Sequence, residues 1–196
     1  TVEEIFEPGA KDPSRLGFDP PEFDAGWGLP QPLYDKAVAY YRANVGFIEN
    51  TRYLTIIDMG QHSREKRFYL FDLKLGTLER HNTSHGEGSD PNKDGMADIF
   101  SNTIDSHMSS LGFYLTLGTY RGGKGYSLRI RGLEGTNDNA EKRAVVIHPA
   151  SYVNNAKSKA GLSWGCPALD PKISRGVIDK IRMGSLMLID RIEPQL

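Results

Sequence analysis

Residues 52–84 read RYLTIIDMGQHSREKRFYLFDLKLGTLERHNTS. Residues 52–58 and 67–73 are short runs of β-branched and aromatic residues, a third run covers 78–84, and Gly, Asn and Asp punctuate the connections. That pattern predicts successive strands joined by tight turns, hence a mainly antiparallel sheet. Working outward, 112–120 (GFYLTLGTY), 127–132, 143–148 (RAVVIH) and 185–190 (SLMLID) carry the same signature. Two stretches change period. Leu33, Ala37, Tyr40, Tyr41, Val45 and Ile48 recur at helical spacing after Pro30 and Pro32, which predicts a helix over 33–45. Asp170 and Pro171 supply an N-cap and a first-turn proline, Ile173, Val177, Ile178 and Ile181 share one face, and Gly184 ends this second helix.

A chain of 196 residues fits one domain with a sizeable core. Lys and Arg number 24 against 25 Asp and Glu, and they are scattered, so neither nucleic acid nor an anionic lipid surface is the expected partner. No run of about 18 apolar residues predicts a membrane span. The start does not resemble a signal peptide, but a processed chain beginning at Thr1 would have lost one, so export stays open. Residues 1–32, rich in Pro and Gly, read as an irregular arm docked by Phe6, Phe18, Phe23 and Trp27, ahead of a single catalytic unit over 33–196. The single cysteine is compatible with cytosol or periplasm.

That cysteine, Cys166, stands in SWGCPAL (163–169), downstream of HPA at 148–150. Without context a lone cysteine is more often packed away than reactive. Here Gly165 removes a Cβ at the turn and Pro167 restricts Cys166 to extended conformations, so the sulfur is presented. A free thiol titrates near about 8.5 and needs a base or cation within reach. His148 ends the apolar run 144–147, at the rim of a sheet, and is the expected base. The backbone N–H of Cys166 is then placed to stabilise an oxyanion.

His148 followed by Ser163-Trp164-Gly165-Cys166 resembles the His-spacer-Ser-x-Gly-Cys signature of the L,D-transpeptidases, the YkuD-like peptidoglycan cross-linking enzymes, in their Ser-Trp-Gly-Cys-Pro-Ala branch. The likeness extends from about residue 52 through 189 and takes in 53–58, 84–86, 100–102, 109–114 and 125–129. It implies a mainly β fold, a sandwich or barrel-like assembly with a few peripheral helices. It also implies a cofactor-free acyltransferase, exported to the periplasm or cell envelope, whose partners are peptidoglycan stem peptides. By the resemblance Cys166 attacks the diaminopimelate carbonyl of a stem tetrapeptide and expels the terminal D-Ala. His148 takes the thiol proton, oriented by the Pro149 backbone carbonyl, and the thioester passes to an amine, giving a cross-link. Water as acceptor would make an L,D-carboxypeptidase, and an inactive wall-binding descendant is the alternative outside enzymes. Three positions depart from the common pattern. Pro149 replaces a Gly, Trp164 replaces a His, and Pro167-Ala168 replaces the usual Arg or Asn, so the substrate carboxylate must be met from elsewhere.

His85 and His107, in Gly/Ser-rich loops, are expected to hold substrate, with Ser163 and Trp164 flanking the turn. Arg129 and Arg131 share one strand face and suit a carboxylate. Tyr126 is a weaker candidate for a substrate hydroxyl. No metal is expected, because the His and Cys spacings make no ligand motif. Residues 90–98 partly match a calcium loop, but Ser101 stands where the bidentate Glu belongs, so a polar turn is the reading. Residues 122–125 (GGKG) lack phosphate-loop spacing and predict a hairpin turn.

Overall fold

The structure is a computed structural model that describes residues 16–154 and 159–192. Seven strands, β1 (Tyr53–Asp58), β2 (Phe68–Asp72), β3 (Thr77–His81), β4 (Gly112–Gly122), β5 (Gly125–Gly132), β6 (Val146–Ile147) and β7 (Leu186–Asp190), form one sheet in the order β3-β2-β1-β7-β4-β5-β6. Every pairing is antiparallel except β1 with β7. The helices α1 (Gln31–Asn44) and α2 (Pro171–Ile181) cover opposite faces. This explains why the strands read as unbroken apolar runs. Leu54, Ile56, Tyr69, Phe71, Leu186 and Leu188 pack on the α1 side, while the alternate residues Ile57, Phe68, Leu70, Met187 and Ile189 pack on the α2 side.

Local sequence sets each helix. Asp170 caps α2 by accepting the Lys172 N–H at 2.9 Å, and Val177, Ile178 and Ile181 bury its apolar stripe. In α1, Leu33, Ala37, Tyr40 and Tyr41 face the sheet, with Tyr40 stacked on Phe113 at 3.7 Å. The arm docks through Phe23 and Trp27, which meet Tyr34, and Trp27 also meets Phe71, 5.1 Å between ring centroids. Phe18, expected to join them, is exposed, although its N–H donates to the Tyr41 hydroxyl. Phe6 lies outside the described residues.

The two ends of the strand order meet through residues 163–169. On one side, chain continuing from β3 bonds to this segment: Ser163 N–H donates to the His85 carbonyl at 2.9 Å, and Ala168 carbonyl accepts the Thr83 hydroxyl at 2.9 Å. On the other, chain continuing from β6 does so: Leu169 N–H donates to His148 and Ala150 N–H to Leu169, both at 2.9 Å. Isolated parallel bridges, Gly86 with Ser163 and Pro149 with Leu169, mark the two sides. The segment is a seam that closes the sheet and protects both edges.

Strand boundaries differ from expectation in one informative place. Residues 143–148 form a strand only at Val146–Ile147, because Arg143 N–H returns to Asn139 and Val145 N–H to Ala140, coiling 135–144 into successive turns. Asn137 anchors that coil from inside, donating to the Phe113 carbonyl and accepting the Glu134 N–H. Residues 123–124 form the predicted hairpin turn between β4 and β5.

Candidate active site around Cys166

Gly165 sets the thiol in place. Its φ of 108° is a conformation that side chains disfavour, and a Cβ there would lie 2.6 Å from the Met108 carbonyl oxygen. The Ser163 hydroxyl closes the turn from within, accepting the Gly165 N–H at 3.1 Å and lying 2.7 Å from the Cys166 carbonyl. Ser84 holds the same carbonyl at 3.1 Å. The sulfur accepts the Val146 N–H at 3.4 Å and lies 3.7 Å from the Ala144 carbonyl, so it rests against the outer edge of β6. Burial pushes the Cys166 thiol up from its ordinary value, opposed by the Val146 hydrogen bond and by Arg143 and Lys124. The Cys166 N–H donates to no group among the described residues.

His148 follows β6 by one residue. Its Nδ1–H donates to the Pro149 carbonyl at 2.9 Å, which leaves Nε2 with the free lone pair. Burial lowers its pKa below 6.5, an effect the Pro149 bond opposes and Lys124 reinforces, so the ring is neutral and able to accept a proton at neutral pH. Among the described residues no hydrogen bond joins the thiol to the imidazole. Backbone contacts set their two segments side by side: Sγ accepts the Val146 N–H, two residues before His148, and the Leu169 N–H donates to the His148 carbonyl.

Around this pair the predicted residues separate. Trp164 is 69 % exposed and stacks on His107 at 4.5 Å with rings 3° from parallel. His107 Nδ1 meets Glu87 at 2.8 Å. Arg129 lies over Tyr120 at 4.2 Å and lines a cavity of about 290 Å³ with Glu141, Ala144 and Val146, the last two being the residues that touch the sulfur. Arg131 is engaged by Glu141 at 2.6 Å. Tyr126 sits apart from this group. Its hydroxyl donates to Asp179 of α2 at 2.6 Å, on the sheet face opposite Arg129. Ser163 is buried in the turn, where its hydroxyl shapes the backbone.

His85 is displaced furthest from expectation. It is fully buried, Arg67 donates to its Nδ1 at 2.7 Å, and its Nε2–H faces Asp90 at 3.3 Å. Burial and the Arg67 charge lower its pKa to about 4, against the pull of Asp90. The unfolded chain therefore protonates His85 near 6.5 while the folded one resists until about 4, so stability is full above 6.5 and falls as pH drops through that window. Thermal melts from pH 7.5 to 4 are expected to show the decline, with a shallower slope in His85→Gln than in the native chain.

The 90–98 loop is a polar turn closed on itself. Asp90 accepts the N–H groups of Asp94 and Gly95 at 3.0 and 2.9 Å, and Asp94 accepts that of Met96. No cluster of metal-ligating side chains occurs among the described residues, and no described helix is long and apolar enough to cross a membrane. Sequence reading missed Arg143. Its guanidinium donates to the Ser101 carbonyl at 2.9 Å, to the Ser110 and Ser106 hydroxyls, and to the Met108 carbonyl. It missed Tyr152 as well, a half-buried phenol whose pKa is pushed up by burial and by Cys166.

The sheet is thus closed by a seam that carries one thiol, and the chain bonded to that seam carries one oriented imidazole. A family model, the L,D-transpeptidase catalytic domain, matches residues 28–189. The chain belongs to that family. A comparison with curated proteins found no match. Among solved structures, an L,D-transpeptidase from Mycobacterium smegmatis is 14% identical, with 70% of this chain and 58% of that chain covered and a TM-score of 0.44. L,D-transpeptidase 3 from Mycobacterium tuberculosis, in complex with a faropenem-derived adduct, is 12% identical over 71% and 60%, TM-score 0.45. The helical cell shape determining protein of Campylobacter jejuni is 12% identical over 76% and 50%, TM-score 0.43. The chain thus spans between half and three-fifths of the length of these structures.

Proposed function

We propose that the protein carries out cysteine-dependent acyl transfer on peptidoglycan stem tetrapeptides in the cell envelope. Its nucleophile is Cys166 and its base is His148. The observation that carries this reading is the Nδ1–H bond from His148 to Pro149, which fixes the tautomer a base requires beside a thiol held out on a glycine turn. Pro149 needs only its carbonyl for this, so the departure from Gly at that position is compatible with activity. In the first step Nε2 takes the thiol proton as sulfur attacks the diaminopimelate carbonyl. The Cys166 N–H faces the developing oxyanion. Collapse breaks the C–N bond, the imidazolium returns its proton to the amine, and D-Ala departs. An amine from a second stem then attacks the thioester, His148 receives its proton, and the thiolate leaves.

Arg129, which lines the cavity with Ala144 and Val146, and the stacked pair Trp164 and His107 are the proposed substrate contacts, with Arg129 as the carboxylate partner that Pro167-Ala168 cannot supply. In this reading residues 33–196 form the catalytic unit and 1–32 an extension. The test is mass spectrometry of muropeptides after incubation with stem tetrapeptide. D-Ala release with an L,D-linked dimer is expected. Release with tripeptide alone would identify water as the acceptor and a carboxypeptidase, and tetrapeptide left intact would overturn the reading.

A further inference from the structure

The thiol and the imidazole are both buried enough to favour their neutral forms, so an ion pair between them needs support from a third charge. Ionisable groups act on or lie beside the sulfur from several elements: Arg143 from the turn before β6, Lys124 from the β4–β5 turn and Tyr152 beyond β6, with His148 at the end of β6 and Arg129 and Glu141 lining the cavity shared with Ala144 and Val146. Arg143 is distinctive. Its hydrogen bonds go to Ser101, Ser106, Met108 and Ser110, all uncharged oxygens, and among the described residues no carboxylate pairs with it. A half-buried guanidinium cannot shed its proton and here has no standing counter-ion. It is also close to the turn, with Nη2 3.2 Å from where a Cβ on Gly165 would lie.

We propose that Arg143 is a positioning residue whose fixed positive charge stabilises the Cys166 thiolate and so the nucleophile itself. The Met108 carbonyl couples the two parts of this device, because it accepts from the guanidinium and also backs against Gly165. Lys124, on an exposed hairpin, assists from outside and is screened by solvent.

The proposal rests on Cys166 being the nucleophile, but its test reads the thiol without any peptidoglycan substrate, so failure here is distinct from failure of the proposed reaction. Cys166 is the single cysteine, so iodoacetamide alkylation followed by intact mass across pH 5.5–10 gives its titration directly. Arg143→Gln is expected to raise the alkylation midpoint by about one pH unit, slowing the reaction roughly tenfold at neutral pH, while Arg143→Lys stays close to the native midpoint. A merely structural role would leave the midpoint of folded Arg143→Gln at the native value, and that result would overturn the proposal. If Arg143→Gln does not fold, Ser106→Ala combined with Ser110→Ala frees the guanidinium while keeping its charge. A rise of a few tenths of a pH unit is then expected, and an unchanged midpoint counts against the proposal.

Discussion

Cys166→Ala is expected to abolish D-Ala release from stem tetrapeptides, lowering the rate by roughly 10⁴-fold or more, while leaving the fold intact. The sulfur's contacts are weak, an N–H from Val146 at 3.4 Å and a carbonyl at 3.7 Å, so its removal costs on the order of 1 kcal/mol of stability. All the chemistry but little of the architecture depends on it. His148→Gln keeps an amide able to reach the Pro149 carbonyl and loses the base. A fall of roughly 10²- to 10⁴-fold is expected there, with the thiol still alkylated by iodoacetamide. Steady-state D-Ala release alongside thermal melting checks both. Residual release in Cys166→Ala within tenfold of native would sink the nucleophile assignment.

Gly165→Ala is expected to damage fold and chemistry together. Its φ of 108° costs a residue with a Cβ about 1–3 kcal/mol, and the new methyl would press on the Met108 carbonyl at 2.6 Å. That carbonyl cannot retreat freely, because it accepts from Arg143. With clash and conformation combined, a loss of about 2–4 kcal/mol follows, roughly 5–15 °C in melting midpoint for a chain of this size. Displacing sulfur by about 1 Å from its line of attack costs a further factor of roughly 10² in rate. The control is Gly176→Ala in α2, where a Cβ meets nothing within 4 Å, and it is expected to melt at or slightly above the native temperature. Equal melting of the two variants would show that the turn is less constrained than its geometry requires.

What was legible in the sequence was local. Asp170-Pro171 announces α2, the β-branched and aromatic runs of 52–58 and 67–73 announce two strands, and Gly165-Cys166-Pro167 announces a presented side chain, each within a few positions. His148 was legible from its place at the end of an apolar run, and the resemblance added the Pro149 carbonyl, which accepts the His148 Nδ1–H. Arg143 was hidden because all its partners lie in residues 101–110, some forty positions earlier in the case of Ser101. Its own neighbours, Ala-Val-Val-Ile, argued for a strand from 143 onward, whereas the strand is confined to Val146–Ile147 and Asn137 anchors the turns of 135–144. His85 was misread for the same reason. Nothing in Thr-Ser-His-Gly signals burial, and the Arg67 that encloses it comes from β2's approach, on the far side of two strands and their turn.

The seam at 163–169 also has a consequence for folding. Its closing bonds join residues far apart in the chain, with sequence separations of 85 for Thr83 to Ala168 and 78 for Ser163 to His85. Contacts across such separations need the intervening chain to be arranged, so the setting of the seam depends on the fold as a whole. Without that fold the glycine turn, the oriented imidazole and the guanidinium are separate pieces. A chain whose seam is open carries an ordinary thiol, and the setting around Cys166 exists only in the closed sheet.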